Sequence, residues 1–285
     1  MNTEQKNKIT TRLAEHSREL GLSQAQLSRR ITDVSATTIN FILTNKWKEQ
    51  DGLISDDMWN RVANYLGEGN GWVTVDTRNL KAIKKMCRDC HTKSIARAIA
   101  GEPGRSKSEA LKAYAGNNAN VYYLECSEFW SKKMFLNKLR QAMGLQQEVA
   151  TSAEIMEDII QHLSKLNKPL IIIDEADKVQ ELLCGFFITL YNHAKNCGFI
   201  LSGSVFFEKH FKKGVRLNRR GYSEAFSRIG SEFLMVPPVS NEDVRAICEA
   251  NGLTDELQTK EVINSCQGDL RRVNRLVNDF KMMVR

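Results

Sequence analysis

The segment Lys168-Pro-Leu-Ile-Ile-Ile-Asp-Glu-Ala-Asp-Lys178 is the clearest indication of the fold in this sequence. Its four consecutive apolar residues, Leu170 to Ile173, are typical of a strand that is buried on both faces of a parallel sheet. Two adjacent carboxylates, Asp174 and Glu175, follow at the predicted carboxyl end of this strand, where open α/β sheets place their ligands. Such a pair suits nucleotide hydrolysis, because Asp174 can hold Mg²⁺ and Glu175 can orient the attacking water.

The length and composition of the chain indicate the number of units, the cellular location and the state of the cysteines. With 285 residues, 42% of them hydrophobic, the chain is long enough for one small and one large unit. We expect a cytoplasmic protein, because no apolar run approaches the length of a membrane span and the first residues are too polar for a signal peptide. The seven cysteines are an odd number and are expected to be reduced thiols.

The positive charge is unevenly distributed. The net charge is +7, yet residues 1–68 hold nine basic and nine acidic side chains, so the excess lies in residues 69–285. The segment Arg78–Arg97 has seven cations and one acid, and Lys209–Arg220 has six cations and no acid. This pattern favours a polyanionic partner, although either segment taken alone is equally consistent with a solvated face.

A phosphate-binding loop is predicted upstream of the acidic strand. A short strand over 94–100 continues into Gly101-Glu-Pro-Gly-Arg-Ser-Lys-Ser108 and then into a helix over 109–115. In this P-loop layout, backbone N–H groups surround the β- and γ-phosphates of ATP, Lys107 neutralises them and Ser108 ligates Mg²⁺. The residues predicted to contact the nucleotide here are Gly101, Pro103, Gly104, Arg105, Ser106, Lys107, Ser108 and Glu109.

Two expectations follow for this site. The usual pattern has glycine immediately before the lysine, and here Ser106 stands there, so we expect weakened or slow nucleotide handling. We also expect Lys107 and Ser108 to face Asp174 and Glu175 across the ends of neighbouring strands.

The remaining pattern predicts a doubly wound α/β fold. Further strands are predicted over 120–126 and 198–204, with helices over 129–143, 153–166 and 182–195. This βαβαβαβ succession is typical of a parallel sheet. We predict four parts: a helix-turn-helix domain over 1–68, a linker over 69–76 that continues the glycine-rich stretch 67–71, an ATPase core over 77–236 and a helical lid over 237–285.

The N-terminal segment predicts two short helices joined by a tight turn, capped by Ser23 and Ser35. About residues 9–66 resemble the repressor-type helix-turn-helix. In that register Gln24, Thr37, Thr38 and Asn40 point outward and can contact bases or phosphates. A domain that contacts protein instead stays open, because these residues lack a basic surplus.

The P-loop layout, the strand that ends in Asp174 and Glu175, and the βα succession together resemble the AAA+ class of P-loop ATPases. By that likeness Ser204, at the tip of the strand over 198–204, is a polar sensor of the γ-phosphate or the attacking water, although many relatives have Asn or Thr there. Glu224-Ala-Phe-Ser-Arg-Ile-Gly230 resembles the segment whose arginine, here Arg228, reaches the nucleotide of a neighbouring subunit. Gly268-Asp-Leu-Arg271 resembles the second sensor, which would place Arg271 against the phosphates. A surface or ion-paired arginine is the alternative for both.

The order of a small helix-turn-helix, a glycine linker and a minimal AAA+ module with a short lid resembles the phage Mu B family of transposition proteins over nearly the whole chain. The resemblance implies an ATPase of a bacterial or phage-infected cell that is slow alone and is stimulated by DNA or by a transposase. Such proteins form filaments on double-stranded DNA with little sequence preference. The resemblance also implies that such filaments deliver the DNA to a DDE transposase. The candidate DNA-binding cations are Lys132, Lys133, Lys209, Lys212, Lys213, Arg216, Arg219 and Arg220.

Two other functions stay open. One is a transcriptional regulator whose helix-turn-helix reads an operator and whose ATP-binding module controls oligomerisation. The other is a nucleotide-binding scaffold without turnover, which the serine at position 106 favours.

Overall fold

The computed structural model of the chain describes residues 1–19, 21–31, 34–50, 52–66, 72–145 and 150–283. These residues form two compact units, of which one contains Met1–Asp76 with Val239–Arg285 and the other contains Thr77–Pro238. The predicted glycine-rich linker at 67–71 lies outside the described residues. The predicted helix-turn-helix domain, 1–68, lies in the first unit together with most of the predicted lid, 237–285. The division of the chain into four parts stays a prediction.

The second unit is a parallel five-stranded sheet with helices on both faces. Its strands lie in the order β2-β3-β4-β1-β5. They span Ala96–Ala100 (β1), Val121–Glu125 (β2), Leu170–Asp174 (β3), Gly198–Gly203 (β4) and Phe233–Met235 (β5). The helices are Arg78–Lys93 (α5), Lys107–Gly116 (α6), Lys132–Ala142 (α7), Ser152–Ser164 (α8), Gln180–His193 (α9), Val205–Arg216 (α10) and Tyr222–Arg228 (α11), and a 3₁₀ turn spans Ala176–Val179. The predicted α/β fold class is therefore confirmed.

The two faces of β3 pack against different helices. All five of its residues are buried, as the unbroken apolar run predicted. Leu170 and Ile172 lie in a core with side chains of α5 and α6. Ile171 and Ile173 lie in the larger core with side chains of α7, α8 and α9. Because side chains alternate along a strand, Asp174 follows the parity of Ile172 and belongs to the α6 face.

The strand order corrects one expectation. The strand that leads into the predicted phosphate loop, β1, and the strand that ends in Asp174, β3, are not neighbours, because β4 lies between them and pairs with both. The fifth strand, β5, was not predicted and pairs with the outer side of β1. The predicted loop and carboxylates still follow the carboxyl ends of parallel strands, so they lie at the same edge of the sheet.

We predict that Gly198→Ala destabilises this sheet strongly. A Cβ at Gly198 would lie 2.2 Å from the carbonyl oxygen of Cys90, a backbone atom that cannot rotate away. The expected loss of unfolding free energy is about 3 kcal/mol, the upper end of the range for overpacking. Gly185→Ala is the control, because Gly185 lies within α9 with nothing within 4 Å of an added Cβ. Equal midpoints of chemical denaturation for the two variants would contradict the packing of α5 against β4.

The first unit consists of helices. In its N-terminal part these are Thr3–Glu19 (α1), Gln24–Arg30 (α2), Ala36–Leu43 (α3) and Asp56–Tyr65 (α4), with a 3₁₀ turn at Lys46–Lys48. In its C-terminal part they are Asn241–Ala250 (α12), Glu256–Cys266 (α13) and Leu270–Met283 (α14). The fully buried Asn251 joins the two parts, because its side chain accepts a hydrogen bond from Val73 N at 2.8 Å and donates one to Val73 O at 3.0 Å.

All seven cysteines are buried. Burial raises the pKa of Cys87 and of Cys90 to about 12, which keeps both as protonated thiols at neutral pH. None of the described helices is long and apolar enough to span a membrane.

Candidate active site

The loop between β1 and α6 is shaped by glycine and by left-handed backbone. Gly104 has φ 74°, and the loop ends where Lys107 begins α6. Gly101 lies against the end of β5, so that a Cβ there would be 3.1 Å from Val236 Cβ and 3.2 Å from Val236 O. Val236 N also donates to Ala100 O at 2.8 Å. The close approach of this backbone explains the glycine at the start of the loop.

Lys107 folds over the loop that precedes it. Its Nζ donates to the carbonyl oxygens of Gly101 at 2.6 Å and of Glu102 at 3.0 Å. The ammonium group is thus held over the loop, beside the first turn of α6, where the backbone N–H groups and the helix dipole favour an anion. Ser108 and Arg105 are half-buried, whereas Glu109 and Pro103 are exposed.

Ser106 is strained and its hydroxyl is unpaired. The residue has φ 69° and ψ 7°, in the left-handed region that favours glycine. Although it occupies the N-cap position of α6, its side chain makes no capping hydrogen bond, and its buried Oγ has no hydrogen-bond partner among the described residues. Serine in place of glycine at position 106 is therefore destabilising in two ways, through its left-handed backbone and through its buried, unpaired hydroxyl.

We predict that Ser106→Gly stabilises the protein and tightens nucleotide binding. A left-handed residue with a Cβ costs about 1–2 kcal/mol, so the expected gain in unfolding free energy is about 1 kcal/mol. Removal of the Cβ also allows closer approach of a phosphate to the loop. Ser106→Ala is the matched control, because it removes the hydroxyl but keeps the Cβ. If thermal unfolding shows that Ser106→Gly is no more stable than Ser106→Ala, the left-handed backbone does not strain residue 106.

Asp174 is almost fully buried, with an exposure of 1%, and both of its oxygens are hydrogen-bonded. Oδ2 accepts from the Tyr123 hydroxyl at 2.8 Å, and Oδ1 accepts from the backbone N of Glu175 at 3.0 Å. Burial, with added repulsion from Asp174 and Glu125, raises the pKa of Tyr123 well above its usual range. The phenol therefore stays protonated and acts as the donor. Tyr123 was not among the site residues predicted from the sequence. The available signal was its position two residues before Glu125, which places the two side chains on the same face of β2.

Glu175 differs from its neighbour in exposure and backbone conformation. Its φ is 54°, a left-handed value that is uncommon for a glutamate, and its side chain is 38% exposed. Lys178 Nζ lies 3.5 Å from its Oε2. Asp174 is thus a fixed, buried carboxylate and Glu175 an accessible one, which is the division of roles that metal holding and water orientation require.

The structure places both halves of the predicted site on one side of the sheet. Lys107 and Ser108 open α6, which packs on the face of β3 to which Asp174 belongs. Ser108 offers a hydroxyl oxygen and Asp174 a carboxylate oxygen, both hard ligands suited to Mg²⁺. Among the described residues, no cluster of three or more His, Cys, Asp or Glu side chains forms a metal cage. This donor set fits Mg²⁺, which is usually held by one or two protein oxygens together with phosphates and water.

Ser204 lies at the tip of β4, as predicted, and its hydroxyl is already engaged. It donates to Asp177 Oδ2 at 2.7 Å and accepts from Phe206 N at 3.2 Å, which caps α10. The Ser204 side chain therefore connects the segment after β3 with the helix after β4. Its sensing of a γ-phosphate stays a prediction.

The two predicted arginines differ in their surroundings. Arg228 pairs with Glu224 Oε1 at 2.7 Å and donates to Asn192 Oδ1 at 3.0 Å, which holds its guanidinium against α9. Arg271 lies exposed in the first turn of α14, where its backbone N donates to Asp269 Oδ1 at 2.8 Å. Their roles toward a nucleotide stay predictions.

The predicted DNA-binding cations are exposed at two helices. Lys132 and Lys133 open α7, and the other six lie on α10 or directly after it. Lys212 pairs with Glu208 at 2.7 Å, and Lys209 lies over the ring of Phe206, a side chain that is 63% exposed. These helices follow the carboxyl ends of β2 and β4, at the same edge of the sheet as the predicted phosphate loop.

One of the predicted base-contacting residues is wrongly assigned. Thr38 is buried, and its Oγ1 lies 2.9 Å from Ser35 Oγ and 3.9 Å from Met58 Sδ, so it faces the core of its unit. The cause is its position three residues after the capping serine, which turns it toward α4 with Ile39 and Ile42. Thr37 and Gln24 are exposed, and Gln24 Nε2 donates to Asn40 Oδ1 at 3.0 Å.

The five-stranded parallel sheet with a glycine loop after its first strand is the fold of an AAA+ P-loop domain. Residues 92–211 match the family described as AAA domain. No curated protein matches the sequence.

Solved structures share the fold at low identity. Cdc6p from Pyrobaculum aerophilum is 11% identical with a TM-score of 0.53, and the match covers 73% of this chain and 62% of that one. Drosophila ORC bound to DNA is 14% identical with a TM-score of 0.52, and the match covers 81% and 60%. A Walker-type ATPase of Pyrococcus abyssi is 16% identical with a TM-score of 0.53, and the match covers 70% and 65%. The chain thus spans less than two thirds of the length of each.

Proposed function

We propose that this protein is an ATP-dependent, largely non-sequence-specific DNA-binding ATPase that forms filaments on target DNA and delivers it to a DDE transposase, as the resemblance to the phage Mu B family implies. One observation carries the proposal. The phosphate loop, the acidic pair Asp174 and Glu175, and the basic helix α10 all follow carboxyl ends of strands in one sheet. Nucleotide and DNA would therefore be bound along the same edge.

The nucleotide roles follow from the site. Lys107 would transfer its hydrogen bonds from the loop carbonyls to phosphate oxygens, and the first turn of α6 would bind phosphate through backbone N–H groups. Ser108 and Asp174 would hold Mg²⁺, which when bound neutralises phosphate charge. Glu175, the accessible carboxylate, would orient the attacking water. Ser204, whose hydroxyl donates to Asp177 in the segment after β3, would sense the γ-phosphate or the attacking water.

The DNA role rests on the exposed face of α10. Phe206, Lys209, Lys213 and Arg216 recur at three- or four-residue spacing and thus share one side of the helix. An aromatic ring among cations is typical of surfaces that contact nucleic acid, because cations bind phosphates and rings contact sugars or bases. That the structurally similar Drosophila ORC was solved bound to DNA is consistent with this role.

We predict that the double substitution Lys213→Gln and Arg216→Gln weakens DNA binding by removing phosphate contacts. The slope of log affinity against log salt should become shallower by about 1.8, since each phosphate contact contributes about 0.9. Fluorescence anisotropy of labelled duplex DNA at several salt concentrations measures this slope in the presence of ATP.

The control for that variant is the double substitution Lys165→Gln and Lys195→Gln. It removes the same charge, but these lysines precede β3 and β4, at the opposite edge of the sheet. An equal change in slope for the two double variants would show that net charge alone, and not α10, binds the DNA.

Assembly tests the proposal most fully. If Arg228 completes the site of a neighbouring subunit, ATP links subunits and polymer length depends on nucleotide state. Electron microscopy of the full chain with duplex DNA should show filaments with ATP and none with ADP. DNA that stays bare in both nucleotides would contradict the filament.

A sequence-reading regulator is the second candidate, since the capped helices α2 and α3 expose Thr37 and Gln24. Footprinting separates the two functions. A regulator protects one discrete site, whereas a filament protects DNA broadly. ATP hydrolysis measured with and without DNA tests the third function, a scaffold that binds nucleotide without turnover. Hydrolysis in either condition excludes this scaffold, and its absence in both supports it.

A further inference from the structure

Tyr123 forms the direct side-chain contact to the buried carboxylate of β3. Its hydroxyl lies 2.8 Å from Asp174 Oδ2 and 3.4 Å from Glu125 Oε2. Since a phenol has one proton, the shorter contact identifies Asp174 as the acceptor. Together with the backbone N of Glu175 on Oδ1, this bond fixes both oxygens of Asp174.

The tyrosine is itself held by the helix that begins at the phosphate loop. Lys112, on α6, pairs with Glu125 Oε2 at 2.8 Å, and its Nζ lies 5.5 Å from the centre of the Tyr123 ring. The chain of contacts runs from Lys112 on α6, through Glu125 and Tyr123 on β2, to Asp174 on β3. It therefore connects the helix that carries Ser108 with the carboxylate predicted to hold the metal.

The geometry leaves Asp174 able to bind a cation. A carboxylate has about four lone-pair sites, of which two are used here, so two remain for a metal ion or its water. Asp174 is 1% exposed, and the positive charge of Lys112, which is ion-paired with Glu125, also attracts it. A buried carboxylate that is oriented by hydrogen bonds and keeps free lone pairs is suited to the role of a metal ligand.

We propose that Tyr123 is the positioning residue of the magnesium site, holding Asp174 in the orientation in which it binds the cation of a metal–nucleotide complex. This inference rests on the proposed nucleotide-binding function. Hydrogen-bond partners of metal ligands typically contribute 10- to 100-fold in metal affinity, although they do not touch the metal. A purely structural role would instead be to satisfy a buried oxygen of Asp174, and its loss would lower stability without changing metal affinity.

The test compares Tyr123→Phe with Tyr122→Phe. Tyr122 is the adjacent residue on β2, and its hydroxyl contacts His162 Nε2 at 3.2 Å instead of the site. Each variant of the full chain is first titrated with a fluorescent ADP analogue in EDTA, which measures nucleotide affinity without metal. The protein is then saturated with ADP and titrated with Mn²⁺, a spectroscopic substitute for Mg²⁺, whose free concentration is followed by electron paramagnetic resonance. Thermal unfolding records the stability of each variant.

The expected result is a loss of Mn²⁺ affinity of about 10-fold or more in Tyr123→Phe. Its ADP affinity in EDTA should remain that of the wild type, and Tyr122→Phe should match the wild type in both titrations. A Tyr123→Phe protein that is less stable but binds Mn²⁺ normally would overturn the positioning role while leaving the proposed function intact. A wild-type protein that binds no ADP analogue would instead overturn the proposed function, and this inference with it.

Discussion

Replacement of Glu175 by glutamine is expected to lower the rate of ATP hydrolysis by about 100- to 10,000-fold, the range typical of lost general acid–base catalysis. Glutamine keeps the size of the side chain but cannot accept a proton from the attacking water. Nucleotide affinity should change little, because Glu175 is the accessible carboxylate while the buried Asp174 and the phosphate loop are unaltered. Phosphate release in a single turnover, measured beside the affinity for ATP, separates these effects.

Glu181→Gln is the matched control for that variant. Glu181 is an exposed glutamate in the first turn of α9, six residues further along the chain. It should hydrolyse ATP at the wild-type rate. If Glu175→Gln also retained that rate, the assignment of the water-orienting group would be wrong, even with ATP binding intact.

Replacement of Lys107 by alanine is expected to weaken ATP binding about 10- to 150-fold, because a hydrogen bond to a charged partner contributes about 1.5–3 kcal/mol. In the structure the Lys107 ammonium lies on two loop carbonyls, at 2.6 and 3.0 Å, so it is already positioned beside the first turn of α6. ATP-dependent binding to DNA should fall in parallel if nucleotide controls assembly. Fluorescence titration with an ATP analogue measures the affinity.

Lys138→Ala provides the comparison for Lys107→Ala. Lys138 is an exposed lysine of α7 whose ammonium contacts Gln141 at 3.3 Å. Its loss should leave nucleotide affinity unchanged. Equal affinities for the two alanine variants would show that the loop does not bind phosphate through Lys107.

The sheet was largely predictable because its strands are short apolar runs that lead into recognisable polar tips. The run Leu170–Ile173 was correctly predicted as a buried strand, and Asp174 was correctly predicted at its carboxyl end. By contrast, β5 has three residues, Phe233–Met235, which is too short a run to distinguish from a loop. The helix predicted from Phe129 begins instead at Lys132, because Ser131 caps it and leaves Phe129 91% exposed.

The parts of the candidate site that depend on short sequence patterns could be predicted. The parts that depend on strand order or on side-chain orientation could not. Lys107 and Asp174 follow from short patterns, but the insertion of β4 between β1 and β3 depends on how distant segments pair. Tyr123 was missed because its contact to Asp174 crosses from one strand to another 51 residues away. Thr38 was placed outward because the register of a two-turn helix is ambiguous until its cap is known.

The proposed function requires the loop before α6 and the carboxylates after β3 to form one site for magnesium and ATP. Isothermal titration calorimetry of MgATP into the full chain carrying Glu175→Gln, which prevents hydrolysis from adding heat, tests it most directly. We expect saturable heat from a single class of site, and we expect this heat to be lost when Lys107→Ala is added. Absence of binding heat, or an identical isotherm in the protein with Lys107→Ala, would contradict it.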